Sequence, residues 1–170
     1  RFADDDWLAY VAANADFARH THELVAADGA VWVHDYHLLL AGHCLRQRGF
    51  EGPLGLFLHI PFPPPGLFDT LPWAREVIDA MLDFDLIGFH TQQWADNFRA
   101  CLDAHDKRTR RPARMPQLGV LPIGIDPTAF KAGEDVDDRE IAGLRTTLGP
   151  RRMILGVDRL DYSKGIPERL

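Results

Sequence analysis

Short, continuously apolar segments alternate with longer helix-like segments along this chain, and this alternation restricts the fold more than any other feature. Because the apolar segments do not alternate polar with apolar residues, they predict strands of a parallel sheet that is covered by helices on both faces. We therefore predict an α/β fold. The predicted strands cover residues 31–34, 53–60, 85–90, 118–125 and 153–165, the last running into a turn.

The segments between these strands carry helix signals. Gly49 follows two arginines at a predicted helix end, Pro72 suits the first turn of a helix, and Thr91 can cap another. The proline run PFPPPG (61–66) predicts a rigid turn that holds His59 in place. The helices are predicted at 4–26, 37–48, 72–83, 91–104 and 138–148.

Composition excludes several classes of function. The net charge of −6 argues against nucleic acid as a partner. The chain has no apolar run of about 18 residues, so we expect no membrane span, and its first residues lack a signal-peptide pattern. Two cysteines are too few for a disulfide framework, so we expect buried thiols in a cytoplasmic protein. Because the chain lacks an initiator methionine, we expect it to be a part of something longer.

Polar residues follow the predicted strands at the point where each strand ends. They are His34 and Asp35, His59, His90, Asp126, and Asp158 with Arg159. The carboxyl ends of parallel strands share one edge of a sheet, where such sheets bind ligands, so these residues predict a binding cleft. A carboxylate at this edge needs a hydrogen-bond donor or it costs stability, and a sugar hydroxyl is one such donor for Asp35.

The histidines invite a metal hypothesis, because His34, Asp35, His37 and His59 include common ligand types. The spacing HDYH matches no metal-binding motif, so we predict no metal. His34 taken alone also fits a core histidine that bonds the backbone.

Basic residues carry a second hypothesis. Arg159 and Lys164 in DRLDYSKG (158–165) suit a diphosphate, and the alternative is a pair of solvated charges. The basic run DKRTRRPAR (106–114) is typical of a solvated loop, with polyanion binding as the alternative.

Five segments in this order and spacing resemble the trehalose-6-phosphate synthase family of retaining glycosyltransferases. They are HDYHLLL (34–40), FLHIPFPPP (57–65), LIGFHT (86–91), LPIGID (121–126) and DRLDYSKG (158–165). The resemblance implies two Rossmann-like domains of the GT-B type, with the active site in the cleft between them. It implies glucose transfer from UDP-glucose to glucose 6-phosphate, giving α,α-trehalose 6-phosphate and UDP, with no cofactor and no required metal.

The resemblance also implies roles for single residues. Asp35 would bind the acceptor sugar, and His59 would lie beside the transferred glucose near the reaction centre. Arg159 and Lys164 would hold the donor diphosphate. Residues 1–130 would form most of the N-terminal domain, and 131–170 the linker and opening strand of the C-terminal domain. Family contacts on either side of these residues are missing, so we expect the chain alone to be inactive.

Alternatives stay open within and outside this reaction class. A glucosylglycerol-phosphate synthase or a pseudoglycosyl transferase would share these motifs, because acceptor choice depends largely on the missing regions. A non-catalytic regulatory domain of the synthase type and a nucleotide-sensing module are the alternatives from other classes. The sequence leaves open the exact acceptor, the donor nucleotide and whether the protein forms a homo-oligomer.

Overall fold

The computed structural model describes residues 3–26, 28–105, 115–130 and 138–169. It divides into two compact units, Arg1–Gly124 and Ile125–Leu170. The predicted domain boundary between residues 130 and 131 stays a prediction. The basic run at 106–114 and most of the predicted linker, residues 131–137, lie outside the described residues.

The first unit contains a four-stranded parallel sheet in the order β1-β2-β3-β4. The strands are β1 (Val31–His34), β2 (Leu54–Leu58), β3 (Leu86–Phe89) and β4 (Gln117–Val120). His34 lies opposite Phe57, and Leu58 lies opposite Phe89, so the carboxyl ends of the strands meet at one edge. The predicted parallel α/β fold and its first four strands are confirmed.

Five helices accompany this sheet. They are α1 (Asp4–Leu24), α2 (Ala41–Gln47), α3 (Pro65–Phe68), α4 (Ala74–Met81) and α5 (Gln92–His105). Because the strands lie in chain order and parallel crossovers are right-handed, the connecting helices lie on one face of the sheet. On the other face, Trp32 is 63% exposed and Leu86 is 38% exposed, so no helix of the described part of this unit covers them. The predicted cover of helices on both faces is therefore wrong for this part of the chain, because every connection between its strands returns on the same side of the sheet.

The core lies between the helices and the first face of the sheet. Strand residues such as Leu56 and Ile87 are buried there together with Met81 and Phe98 of the helices. Cys44 and Cys101 are both free and buried, as predicted. Burial raises the pKa of the Cys101 thiol to about 11.

Two predicted elements of this unit have different bounds. The segment predicted as one helix, 37–48, is a 3₁₀ turn (Tyr36–Leu38) followed by α2. Side chains of α1 bond backbone groups of residues 36–40, including two carbonyls that a continuous helix would use. The strand predicted at 118–125 ends at Val120. The Leu121 amide still donates to the Phe89 carbonyl, but the next amide on that side, Ile123, faces His90 Nδ1 instead of a strand carbonyl. A short helix, α3, begins at Pro65 inside the predicted rigid turn and extends beyond it to Phe68.

The second unit contains α6 (Asp138–Leu148) and α7 (Ile166–Arg169), with 3₁₀ turns at Pro127–Phe130 and Tyr162–Lys164. The predicted fifth strand is wrong for this structure, because residues 153–157 form no strand. A strand needs a neighbour to satisfy its backbone. In the described part of this unit none is present, and Ile154 is 98% exposed. Among the described residues, no helix is both long and apolar enough to cross a membrane.

Candidate active site

The backbone of Asp35 is strained. This residue directly follows β1 and has φ 65° and ψ −177°, a region that is essentially restricted to glycine. It is the one non-glycine residue with positive φ among the described residues. Its N–H donates to the Phe57 carbonyl at 2.7 Å, which continues the β1–β2 ladder by one residue. Strain of this kind costs about 1–3 kcal/mol and persists where the surrounding structure imposes it.

The side chain of Asp35 is also costly to the fold. Its Oδ1 atom is buried without a hydrogen-bond partner, the single such side-chain atom among the described residues. Asp35 precedes the 3₁₀ turn but its carboxylate does not cap it. A buried acceptor left unpaired costs about 1–3 kcal/mol. The sequence predicted a carboxylate that needs a donor, and the structure contains one whose donor has to come from elsewhere.

Three histidines lie together at the carboxyl edge of the sheet, the edge to which Asp35 also belongs. His34 Nδ1 and His59 Nε2 are 3.0 Å apart, and their rings stack with centroids separated by 5.3 Å. The His59 and His90 ring centroids are 5.4 Å apart. His34 is exposed, so its interpretation as a core histidine is wrong. The predicted gathering of polar residues at strand ends is confirmed for β1, β2 and β3.

An aromatic platform supports these imidazoles. The Phe57 ring lies 4.8 Å from that of His59 and 4.9 Å from that of His90, measured between centroids. The ring can pack against β3 because residue 88 is glycine, and a Cβ added there would lie only 2.5 Å from Phe57 Cδ2. The Ile123 amide is 3.3 Å from His90 Nδ1 and can donate to it. The ring positions are therefore set by packing and by this hydrogen bond.

The loop after His59 is anchored at its far end. Asn97 of α5 donates to the Phe62 carbonyl at 2.8 Å. The Phe62 ring is buried among Phe68, Phe89 and Phe98. These contacts support the prediction that the proline run keeps His59 in one pose.

Sequence reasoning missed two residues that contact this site from α1. The Tyr10 hydroxyl and the Asn14 amide bond the backbone of residues 36–40, directly after Asp35. The sequence feature that could have indicated this contact is Asn14, a polar residue among the apolar positions of an amphipathic helix. It is 0% exposed.

The second unit carries the predicted phosphate-binding pair. Arg159 and Lys164 are both exposed, and no hydrogen bond or ion pair joins either side chain to another described residue. The neighbouring Asp158 instead pairs with Arg169 at 2.8 Å, and the Lys164 carbonyl accepts from Arg169 at 3.0 Å. Among the described residues, neither cation is neutralised by a partner, so both can bind an anion.

Asp126 differs from Asp35, because its carboxylate has local partners. Asp126 Oδ1 accepts from the Thr128 amide at 2.9 Å and from the Thr128 hydroxyl at 2.7 Å. These hydrogen bonds lower the pKa of Asp126. We therefore assign Asp126 to the turn and not to ligand binding. Within the described ranges, no group of three histidine, cysteine or acidic residues could hold a metal ion.

The sequence matches glycosyltransferase family 20 over residues 1–170. A trehalose-6-phosphate synthase of Mycobacterium avium is 40% identical, with 96% of this chain and 37% of that protein covered. The structure of an Escherichia coli relative bound with UDP-2-fluoro glucose has a TM-score of 0.85 at 37% identity, covering 99% of this chain and 39% of that one.

A third match is a UDP-forming α,α-trehalose-phosphate synthase from Burkholderia xenovorans in complex with glucose-6-phosphate. It has a TM-score of 0.81 at 33% identity and covers 99% of this chain and 40% of that one. The chain therefore spans about two fifths of the length of these relatives.

Proposed function

The chain belongs to glycosyltransferase family 20, and we propose that it forms part of a UDP-forming α,α-trehalose-phosphate synthase. In this proposal the full-length enzyme transfers glucose from UDP-glucose to glucose 6-phosphate with retention and without a metal, in the cytoplasm. The observation that carries the proposal is the unpaired, half-buried carboxylate of Asp35, which directly follows β1 as His59 directly follows β2 at the same edge of the sheet.

Asp35 binds the acceptor sugar in this proposal. Its Oδ1 atom lacks a donor, and a sugar hydroxyl supplies one. Because the strained backbone fixes the direction of the carboxylate before the substrate arrives, little further ordering is needed on binding. The acceptor sugar is therefore the partner that best explains both costs at this residue.

His59 lies beside the transferred glucose in this proposal. Its Nε2 atom is engaged with His34, which leaves Nδ1 as the nitrogen that can bond a sugar hydroxyl. The imidazole is held by ring packing and by the anchored loop, so it orients the donor sugar instead of following it.

Arg159 and Lys164 hold the donor diphosphate. During the reaction the bond between the anomeric carbon and the phosphate oxygen breaks, and a new bond forms from that carbon to the acceptor oxygen. Negative charge builds on the leaving diphosphate, where a guanidinium and an ammonium stabilise it. The acceptor proton passes to the leaving phosphate on the same face of the sugar, which preserves the configuration without a carboxylate nucleophile.

The proposal is tested with the full-length protein, purified and treated with EDTA. Incubation with UDP-glucose and glucose 6-phosphate should release UDP, and proton NMR should identify α,α-linked trehalose 6-phosphate. Glycerol 3-phosphate serves as the competing acceptor. Turnover with glycerol 3-phosphate alone would instead support a glucosylglycerol-phosphate synthase, and no turnover with either acceptor would contradict the proposal.

The assignment of Asp35 to the acceptor has its own test. Asp35→Asn keeps the size of the side chain and removes its charge. The full-length variant should lose synthase activity while binding UDP as the wild type does in calorimetry. A collapse of UDP affinity with the fold intact by circular dichroism would place Asp35 at the donor instead.

A further inference from the structure

The turn after Asp35 is held from outside by two side chains of α1. The Tyr10 hydroxyl donates to the Tyr36 carbonyl at 2.7 Å and accepts from the Leu39 amide at 3.1 Å. Burial raises the pKa of Tyr10, so this hydroxyl keeps the proton that it donates. Two backbone groups of the turn thus depend on one hydroxyl.

Asn14 bonds two further backbone groups of the same turn. Its Nδ2 atom donates to the His37 carbonyl at 3.2 Å, and its Oδ1 atom accepts from the Leu40 amide at 3.0 Å. The same Nδ2 donates to the Tyr10 carbonyl at 2.9 Å, which joins the two residues into one network. Asn14 is the one fully buried polar side chain among the described residues.

The turn needs such support because it cannot hold itself. It is a three-residue 3₁₀ segment, and the Asp35 side chain makes no cap hydrogen bond to it. The preceding backbone is strained, and a strained residue relaxes unless its neighbours prevent this. The ladder bond from Asp35 to Phe57 fixes the N-terminal side, and the α1 network fixes the C-terminal side.

We propose that Tyr10 and Asn14 are positioning residues for the acceptor, which hold the turn at residues 36–40 so that the Asp35 carboxylate keeps its direction. This rests on the proposed function, because it assigns to α1 a part in acceptor binding at that site. Neither residue is proposed to contact the sugar. Their loss should weaken the reaction with glucose 6-phosphate and leave the donor site unchanged.

The primary test is Tyr10→Phe in the full-length enzyme. This variant keeps the ring that stacks on Trp7 at 5.6 Å and removes the hydroxyl alone. We expect kcat/KM for glucose 6-phosphate to fall by about 10-fold, the scale for losing one or two neutral hydrogen bonds. The Kd for UDP and the KM for UDP-glucose should not change. Asn14→Leu should produce a larger loss of the same kind, and if that variant does not fold, Tyr10→Phe still decides.

The matched control is Ala18→Gly. Ala18 is the other buried residue of α1, and its methyl group makes no hydrogen bond to the four bonded backbone groups of the turn. This change loosens α1 in the same core, so it should lower the melting temperature with both KM values intact. If Ala18→Gly alters the acceptor kinetics as Tyr10→Phe does, general destabilisation explains the effect and the proposal is wrong.

Hydrogen exchange separates this proposal from the proposed function, because it needs no substrate. The amides of Leu39 and Leu40 are protected by the α1 network, so a peptide covering 36–40 should exchange faster in Tyr10→Phe and not in Ala18→Gly. Faster exchange together with unchanged kinetics for glucose 6-phosphate would show that the network only stabilises the fold, and the proposal would be wrong. If the wild type turns over no acceptor, the proposed function fails. If hydrogen exchange of the 36–40 peptide is unchanged in Tyr10→Phe, the network does not hold the turn and this proposal fails.

Discussion

Replacing Asp35 by glycine should make the protein more stable and inactive at the same time. At an ordinary strand or helix position, glycine is less stable than alanine by about 0.5–1 kcal/mol. At φ 65° and ψ −177° the order reverses, because alanine keeps the Cβ that causes the strain and glycine does not. Both substitutions also remove the carboxylate whose Oδ1 atom is buried and unpaired.

The expected magnitudes follow from the backbone strain and from the unpaired carboxylate oxygen. Loss of the unpaired carboxylate should raise the free energy of unfolding by about 1–3 kcal/mol in both variants. Release of strain contributes about 1–3 kcal/mol in Asp35→Gly only, and the flexibility of glycine in the unfolded chain offsets part of it. Asp35→Gly should therefore be more stable than Asp35→Ala by about 1–2 kcal/mol. Synthase activity should be absent from both.

Urea unfolding of the full-length variants measures this difference, provided that the slope with denaturant stays constant. The matched control is the pair His34→Gly and His34→Ala, one residue earlier in β1, where alanine should be the more stable. An Asp35→Gly variant that is less stable than Asp35→Ala would refute the strain argument. A variant less stable than the wild type would show that the carboxylate has a partner in the folded protein.

Three further outcomes are expected. In the full-length enzyme, Arg159→Ala should weaken UDP binding by about 1.5–3 kcal/mol in calorimetry, the scale for a charged hydrogen bond. The control Arg145→Ala on α6 should leave UDP binding unchanged. If Arg159→Ala binds UDP as tightly as the wild type, Arg159 does not belong to the donor site. Gly88→Ala should lower the free energy of unfolding by about 1–3 kcal/mol, because the added Cβ would lie 2.5 Å from the Phe57 ring. An unchanged urea midpoint would contradict this packing. The Cys101 thiol, with a pKa of about 11, should resist a thiol reagent at pH 8 in the folded protein and react once urea unfolds the protein. Rapid reaction in the folded protein would show that the thiol is accessible and would contradict this prediction.

The strands of the sheet could be predicted because each is a continuous apolar run followed by a polar residue. This pattern predicts the ends of β1, β2 and β3, and so it places Asp35, His59 and His90 at one edge of the sheet. The same pattern was wrong at residues 153–157. An apolar run can only become a strand where a neighbouring strand satisfies its N–H and C=O groups, and sequence alone does not show whether that neighbour is present.

The conformation of Asp35 could not be predicted from its sequence context. HDYH contains no glycine and no turn signal, so nothing in it indicates a positive φ at the aspartate. The role of α1 was hidden for a related reason. Asn14 and the turn that it bonds are 23 to 26 residues apart in sequence, and only folding brings them together.

If Asp35 binds the acceptor as proposed, its strained backbone and its unpaired oxygen are explained by the moment at which the acceptor site becomes ordered. A flexible aspartate would make the fold more stable, but its rotamer and backbone freedom would then be lost each time a sugar binds, at about 0.5–1.5 kcal/mol for each immobilised side chain. Here that freedom is lost once, on folding, because the β-ladder and α1 confine the residue from both sides. The unpaired oxygen gains its hydrogen bond only when a hydroxyl arrives, so the penalty for leaving it buried becomes part of the affinity for the acceptor.

A site built in this way discriminates between acceptors by whether a hydroxyl is present at the position that bonds Asp35. We therefore expect an acceptor deoxygenated at the bonded position to lose far more kcat/KM than one altered elsewhere, and a series of deoxyglucose 6-phosphates that all react equally would refute this account of Asp35.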